Sequence, residues 1–244
     1  MSANQLKLLA IAAMTIDHIA WLVFPGYPRE ALPLLMHTIG RLTCPIMCYF
    51  IAEGYHHTKH MGRYTCRLFV FALLSHFAYR FAAMDFVSWE SFVPFAQGTI
   101  LNQTSVMWPL AWGLVMLRVA NSSRISQNWI RVLLILLICL ITFPSDWSCV
   151  ASLCILAMGT NRGNFRAQMG WMLFYVAIYA TVYFFALDRV YGVLQMATVL
   201  SIPFLSRYDG TRGKGGRFTK WLFYTYYPLH LTIIGMIQFF MKKG

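Results

Sequence analysis

Leu8-Leu9-Ala10-Ile11-Ala12-Ala13-Met14-Thr15-Ile16-Asp17-His18-Ile19-Ala20-Trp21-Leu22-Val23-Phe24 is an apolar run broken near its middle by two ionisable side chains. A helix needs roughly 20 apolar residues to span a bilayer, and residues 6–24 supply nearly that. An acid and a histidine at that depth are costly in lipid, so they are expected to face a bundle interior and mark a working site. The rest of the chain is read outward from that pair.

Composition fixes the class. The 244 residues are 59% hydrophobic and only 11% charged, whereas a soluble domain carries about 25% charged residues. The expectation is an all-α polytopic membrane bundle of about nine transmembrane helices, near 6–24, 32–52, 66–84, 106–120, 130–143, 147–160, 168–187, 190–205 and 218–240. Residues 1–244 read as one transmembrane domain, because no long soluble segment remains between the spans. The N-terminus has a signal-like outline but no A-x-A-like cleavage site, so it reads as a retained first span. The six cysteines lie mostly in apolar runs without a CxxC pair and read as small buried packing residues.

A formal charge of +12 in a soluble chain would point to nucleic acid. Here no nucleic-acid partner is expected, because the basic residues fall in short loops where topology explains them. Lys7, Lys59, Arg63, Arg67, Arg118, Arg124, Arg131, Arg162, Arg166, Arg207, Arg212, Lys214, Arg217 and Lys220 gather on the side of the N-terminus. Only Arg29, Arg80, Arg189, Lys242 and Lys243 gather opposite, with Arg41 between. Positive-inside logic then makes the N-terminus cytoplasmic. Between the third and fourth spans, Trp89, Glu90, Phe92, Pro94, Phe95 and Gln97 suit an interfacial connection or an outer lid.

Depth follows from a helical rise of 1.5 Å per residue. Asp17 lies about ten residues, roughly 15 Å, from Lys7; Arg41 about twelve residues, roughly 18 Å, from Glu53; His230 about ten residues, roughly 15 Å, from Lys220. All three land near midplane. Thr38, Arg41, Pro45 and Cys48 share one face, and Pro45 frees the carbonyl of Arg41. Tyr227 and His230 share a face at i,i+3 beside Pro228. Buried Arg41 keeps its proton and requires an anion, for which Asp17 is the obvious partner. The pair could simply tie helices together; a neutral histidine oriented by a neighbouring acid is also what general-base chemistry near pH 7 needs.

On the N-terminal side, Arg63 and Arg67 at i,i+4 present two guanidinium forks on one face, suited to the phosphates of a nucleotide-like donor or simply ordinary topology charge. His56, His57 and His60 do not form HExxH, and no metal is expected. Asp146, in Phe143-Pro144-Ser145-Asp146-Trp147, reads either as a cap for the next helix or as an attractor for a cationic amine.

Taken together, Met14 to Ile19, Ile39 to Ile46, Ala52-Glu53-Gly54-Tyr55 with Thr58, Arg63 to Leu68, Ser145-Asp146-Trp147, Tyr208-Asp209-Gly210 and Phe223 to Leu231 resemble the TraX family of pilin acetylases. Cys44, where an aromatic is usual, and Trp147, where a tyrosine is usual, are mild departures. The resemblance implies an inner-membrane acetyltransferase moving acetyl from acetyl-CoA to an amine, the N-terminus of a pilin. It also implies kinship with multi-span membrane acyltransferases that carry a first-span histidine, arginines near the third span and a late Tyr-x-x-His. On that basis Asp17, His18, Arg41, Tyr227 and His230 are expected to be catalytic, with His18 oriented by Asp17. Lys59, Arg63 and Arg67 are expected to hold the donor, and Glu53 and Asp146 to serve the acceptor. O-acetylation of an envelope glycan or lipid, and a small proton-coupled transporter, are the alternatives.

Overall fold

A computed structural model of the protein describes residues 1–83 and 103–243. Among them each apolar segment is helical: α1 (Ala3–Val23), α2 (Ala31–Gly40), α3 (Thr43–His57), α4 (Met61–Ala82), α5 (Met107–Ala120), α6 (Asn128–Thr142), α7 (Val150–Thr160), α8 (Phe165–Ala186), α9 (Arg189–Gln195), α10 (Ile202–Leu205) and α11 (Arg217–Lys243). A 3₁₀ turn, Met196–Ser201, joins α9 to α10. The described residues hold no strand, only an isolated bridge between Thr104 and Ser145. The architecture is the expected all-α bundle. The interfacial-lid reading of Trp89 to Gln97 lies outside the described residues.

Two of the nine expected segments are broken. Residues 32–52 form α2 and α3, separated by a turn at Arg41 and Leu42. The amide of Arg41 is shared between the carbonyls of His37 (3.2 Å) and Thr38 (3.3 Å), the tightening usual at a helix end. Pro45 offers no N–H to continue the ladder. The interruption is therefore a full break, where the sequence suggested one freed carbonyl in a continuous helix. Residues 190–205 likewise divide into α9, the 3₁₀ turn and α10. α11, by contrast, runs straight through Pro228.

The outside of the bundle is apolar: Leu140 of α6, Phe185 of α8 and Phe240 of α11 are among its most exposed side chains. Ala3–Val23, Ala31–His57 and Phe165–Ala186 are long and apolar enough to cross a membrane. These are the features of a membrane protein. α7 is only 11 residues, roughly 16 Å, too short to span alone. It is nevertheless the most enclosed element, packed among α3, α5 and α8. Gly113 of α5 permits a close approach: a Cβ there would stand 3.0 Å from Ser152 Cα of α7. Small residues at helix interfaces are how membrane bundles pack.

Hydrogen bonds group the loops into the two sets that the basic residues defined. At the N-terminal end, the Met1 amine bonds the Arg207 carbonyl, the amides of Ala3 and Asn4 donate to Thr211 (2.9 Å) and Arg212 (3.1 Å), and Arg162 pairs with Glu53 at 3.0 Å. At the other end, Arg29 pairs with Asp188 at 3.4 Å, and the amides of Gln103 and Asp146 donate to Pro144 (2.7 Å) and Thr104 (2.9 Å).

Candidate functional site

Asp17 and His18 are successive residues of α1, so their side chains leave the helix about 100° apart and meet different neighbours. Asp17 turns to α2 and Arg41. Arg41 Nη2 donates to Asp17 Oδ2 at 3.1 Å and Oδ1 at 3.3 Å, and His37 Nδ1 donates to Oδ1 at 2.8 Å. Arg41 also gives Nη1 to Gln195 Oε1 of α9 at 2.9 Å and Nε to the His37 carbonyl at 3.3 Å. A guanidinium has five N–H donors, so one on Nη1 stays uncommitted among the described residues. α2 comes this close because residue 40 is glycine; a Cβ there would overlap the Asp17 carboxyl. The resulting knot ties α1, α2 and α9 and satisfies a charge pair withdrawn from water, as burial requires.

His18 turns the other way, to α11. Its Nδ1 lies 2.5 Å from His230 Nε2. The ring centroids are 4.8 Å apart with an interplanar angle of 6°. With nitrogens that close, such a centroid distance requires the rings to lie edge to edge in one plane rather than face to face. His230 Nδ1 donates to the Tyr226 carbonyl at 2.9 Å. The Tyr226 hydroxyl reaches Thr15 Oγ1 at 2.7 Å, and Thr15 in turn donates to the Ile11 carbonyl at 2.8 Å. α1 and α11 are thus joined by a chain of polar contacts at His18 and Thr15.

The two groups flank one cavity, with about 710 Å³ of atom-free space including its mouth. Asp17, His18, Gly40, Arg41, Asp146, Trp147, Tyr226 and Tyr227 give it its polar wall; Ala10, Ile11, Met14, Met47, Met107, Leu110 and Phe223 are apolar, and Cys44 adds a thiol. Among the described residues Arg41 is the sole cationic side chain of that lining and pairs with Asp17 at 3.1 Å, so with Asp146 the lining carries one more carboxylate than it does cations. Asp146 is not a helix cap, since α7 starts at Val150 with Cys149 in the cap position. The next two residues, Trp147 (φ 62°) and Ser148 (φ 48°), are held in the left-handed region, a strained conformation that persists where surroundings over-determine it. The turn sets the Trp147 ring 5.5 Å from the Arg41 guanidinium carbon and stacks it on Tyr179 at 5.6 Å.

The remaining expected residues fall elsewhere. His18 is not oriented by Asp17, whose histidine partner is His37; neighbouring helical residues do not face each other. His230 stands behind His18, outside the cavity lining. Glu53 is held by Arg162 and His57 at the N-terminal end, away from the cavity. Lys59 and Arg63 are exposed there. Arg67 sets its guanidinium 5.9 Å from the Tyr224 ring of α11, next to cavity-lining Phe223. Of the cysteines, Cys66 is exposed and Cys139 and Cys149 are half-buried, so only Cys44, Cys48 and Cys154 are the buried packing residues expected. No group of three potential metal ligands occurs among the described residues.

Sequence reading missed three residues. His37 stands four before Arg41 on the same helical face, a spacing that could have flagged it. Gln195 carries no local signal. Lys7 counted only as loop charge, yet its ammonium sits 5.2 Å from the Phe50 ring and 5.4 Å from the cavity-lining Phe223.

The TraX protein family model matches residues 2–238. The chain is similar to the probable fimbrial assembly protein FimC, serogroup H1, of Dichelobacter nodosus, 27% identical over 259 residues that cover 99% of this chain and 97% of that protein. No solved structure matches it significantly.

Proposed function

The chain belongs to the TraX family, and on that premise we propose that it is an integral inner-membrane acetyltransferase, N-terminus cytoplasmic, moving acetyl from acetyl-CoA to the N-terminal amine of a pilin. The observation that carries the reading is the shared cavity of His18, Arg41, Tyr227 and Asp146. A base, a cation, a phenol and a free carboxylate around one partly apolar space form an acyl-transfer constellation. The similarity to a fimbrial assembly protein supports a pilin-type acceptor.

In this mechanism acetyl-CoA enters from the N-terminal side. Arg63 and Arg67, with Lys59, hold its phosphates, and the thioester arm passes Phe223 into the cavity. Tyr224, the anchor of Arg67, and His230 lie six residues, roughly 9 Å, apart along α11. The acceptor comes from the opposite side as an ammonium, attracted by Asp146, which gives the lining one more carboxylate than it has cations. After shedding its excess proton to water, the neutral amine attacks the thioester carbonyl. His18 Nε2 takes the proton that nitrogen loses as the N–C bond forms. The uncommitted Nη1 hydrogen of Arg41 and the Tyr227 hydroxyl face the developing oxyanion. The C–S bond breaks, the imidazolium returns its proton to the thiolate, and free CoA and an amide leave. Asp17 orients Arg41 rather than His18.

Protein in liposomes, given labelled acetyl-CoA and a peptide matching a pilin N-terminus, is expected to label that peptide and not its N-terminally blocked counterpart. Asp146→Asn should raise KM for the peptide by about tenfold, the scale of one screened charge contact, with KM for acetyl-CoA unchanged. Equal labelling of the blocked peptide, or proton flux without any acyl donor and no product, would overturn the reading.

A further inference from the structure

The hydrogen bonds around His230 assign every proton in the pair. A backbone carbonyl only accepts, so the 2.9 Å contact to the Tyr226 oxygen places a proton on His230 Nδ1. In neutral imidazole the other nitrogen is then an acceptor. His230 Nε2 therefore accepts, and the 2.5 Å contact makes His18 Nδ1 the donor. What is left on His18 is the Nε2 lone pair. That atom has no partner among the described residues, and unlike His37 Nε2 it is not sealed away from open space. His18 itself lines the cavity.

We propose that His230 is a positioning residue: it fixes His18 as the Nδ1-protonated tautomer, so that the Nε2 lone pair is presented to the acceptor. The inference rests on the reading of His18 as the general base, and it reassigns His230 from the reaction to its support. The Tyr226–Thr15–Ile11 contacts anchor the carbonyl that starts the chain, so the tautomer is set by the α1–α11 interface and not by Asp17. A base held through its second nitrogen is the same device by which a carbonyl or carboxylate orients a ligating or catalytic imidazole.

Glutamine separates positioning from chemistry, because its amide can accept from His18 Nδ1 and donate to the Tyr226 carbonyl, yet it cannot carry a proton at neutral pH. His230→Leu is expected to lower kcat about 10²-fold, the low end of a general base's contribution, with KM for acetyl-CoA unchanged. His230→Gln should restore most of that rate. In ¹⁵N-histidine-labelled wild-type protein, His18 should give one protonated Nδ1 and one lone-pair Nε2, a pattern kept in the glutamine variant and lost in the leucine variant. His18→Ala is the control: if it transfers acetyl at the wild-type rate, the reading of His18 as the general base fails. If His18→Ala is inactive but His230→Gln is as slow as His230→Leu, or wild-type His18 carries its proton on Nε2, the positioning role is overturned. The wild-type spectrum decides even where the leucine variant fails to fold.

Discussion

Arg41 illustrates how far one residue can be read. A buried guanidinium cannot lose its proton, so an anion had to be nearby, and Asp17 is that anion at 3.1 Å. The remainder depended on contacts that no local pattern specifies: Gln195 comes from 154 positions away. Removing either charge strands the other, so Asp17→Asn and Arg41→Gln should each destabilise the protein by about 3 kcal/mol. The double variant should cost clearly less than the two together, read from denaturant unfolding in micelles. Gly40→Ala is expected to cost about 1–3 kcal/mol by overpacking against the Asp17 carboxyl, and to depress activity because it shifts the same carboxylate. The pairing of Asp17 with His18 was misread for a simple reason. Adjacency in sequence is separation on a helix.

The helices as such were legible, since each described apolar segment is helical, but their interruptions were not. Hydropathy is continuous through residues 32–52, and only the missing N–H of Pro45 hints at the turn beside Arg41. That turn sets Arg41 in the cavity wall, so the feature of this segment that shapes the cavity is its least predictable. At the other end of the bundle, Asp188 caps α9 by accepting from the Tyr191 amide at 3.0 Å. This amide, with Arg29 adding to it, holds the Asp188 carboxyl below the usual carboxylate range. A depressed carboxylate stabilises the fold above its unfolded pKa and loses that contribution as pH falls through the lowered folded value. Asp188→Ala should therefore cost about 1 kcal/mol at neutral pH. The difference from wild type should shrink in acid, as followed by thermal unfolding between neutral and acidic buffers.

At the scale of the whole molecule, loop charge alone sorted the chain into two ends, and the hydrogen bonds at each end sort it the same way. Charge could do this because topology is written in lysine and arginine counts. The sequence placed a helix at 147–160, where α7 lies, but not its central place in the packing, because burial by neighbours leaves no mark on hydropathy. In a cysteine-free background, an impermeant maleimide applied to intact cells should label Tyr27→Cys and should reach Ser123→Cys only after permeabilisation. The reverse pattern would invert the protein and with it the sides from which donor and acceptor arrive.

The most direct trial of the whole account is the intact mass of a co-expressed pilin, isolated from cells carrying either the wild-type chain or His18→Gln at equal membrane abundance. Wild-type cells should yield pilin heavier by one acetyl group on its N-terminal amine, and His18→Gln cells should yield the unmodified polypeptide. Pilin acetylated equally in both, or in neither, would contradict the catalytic role assigned to this cavity.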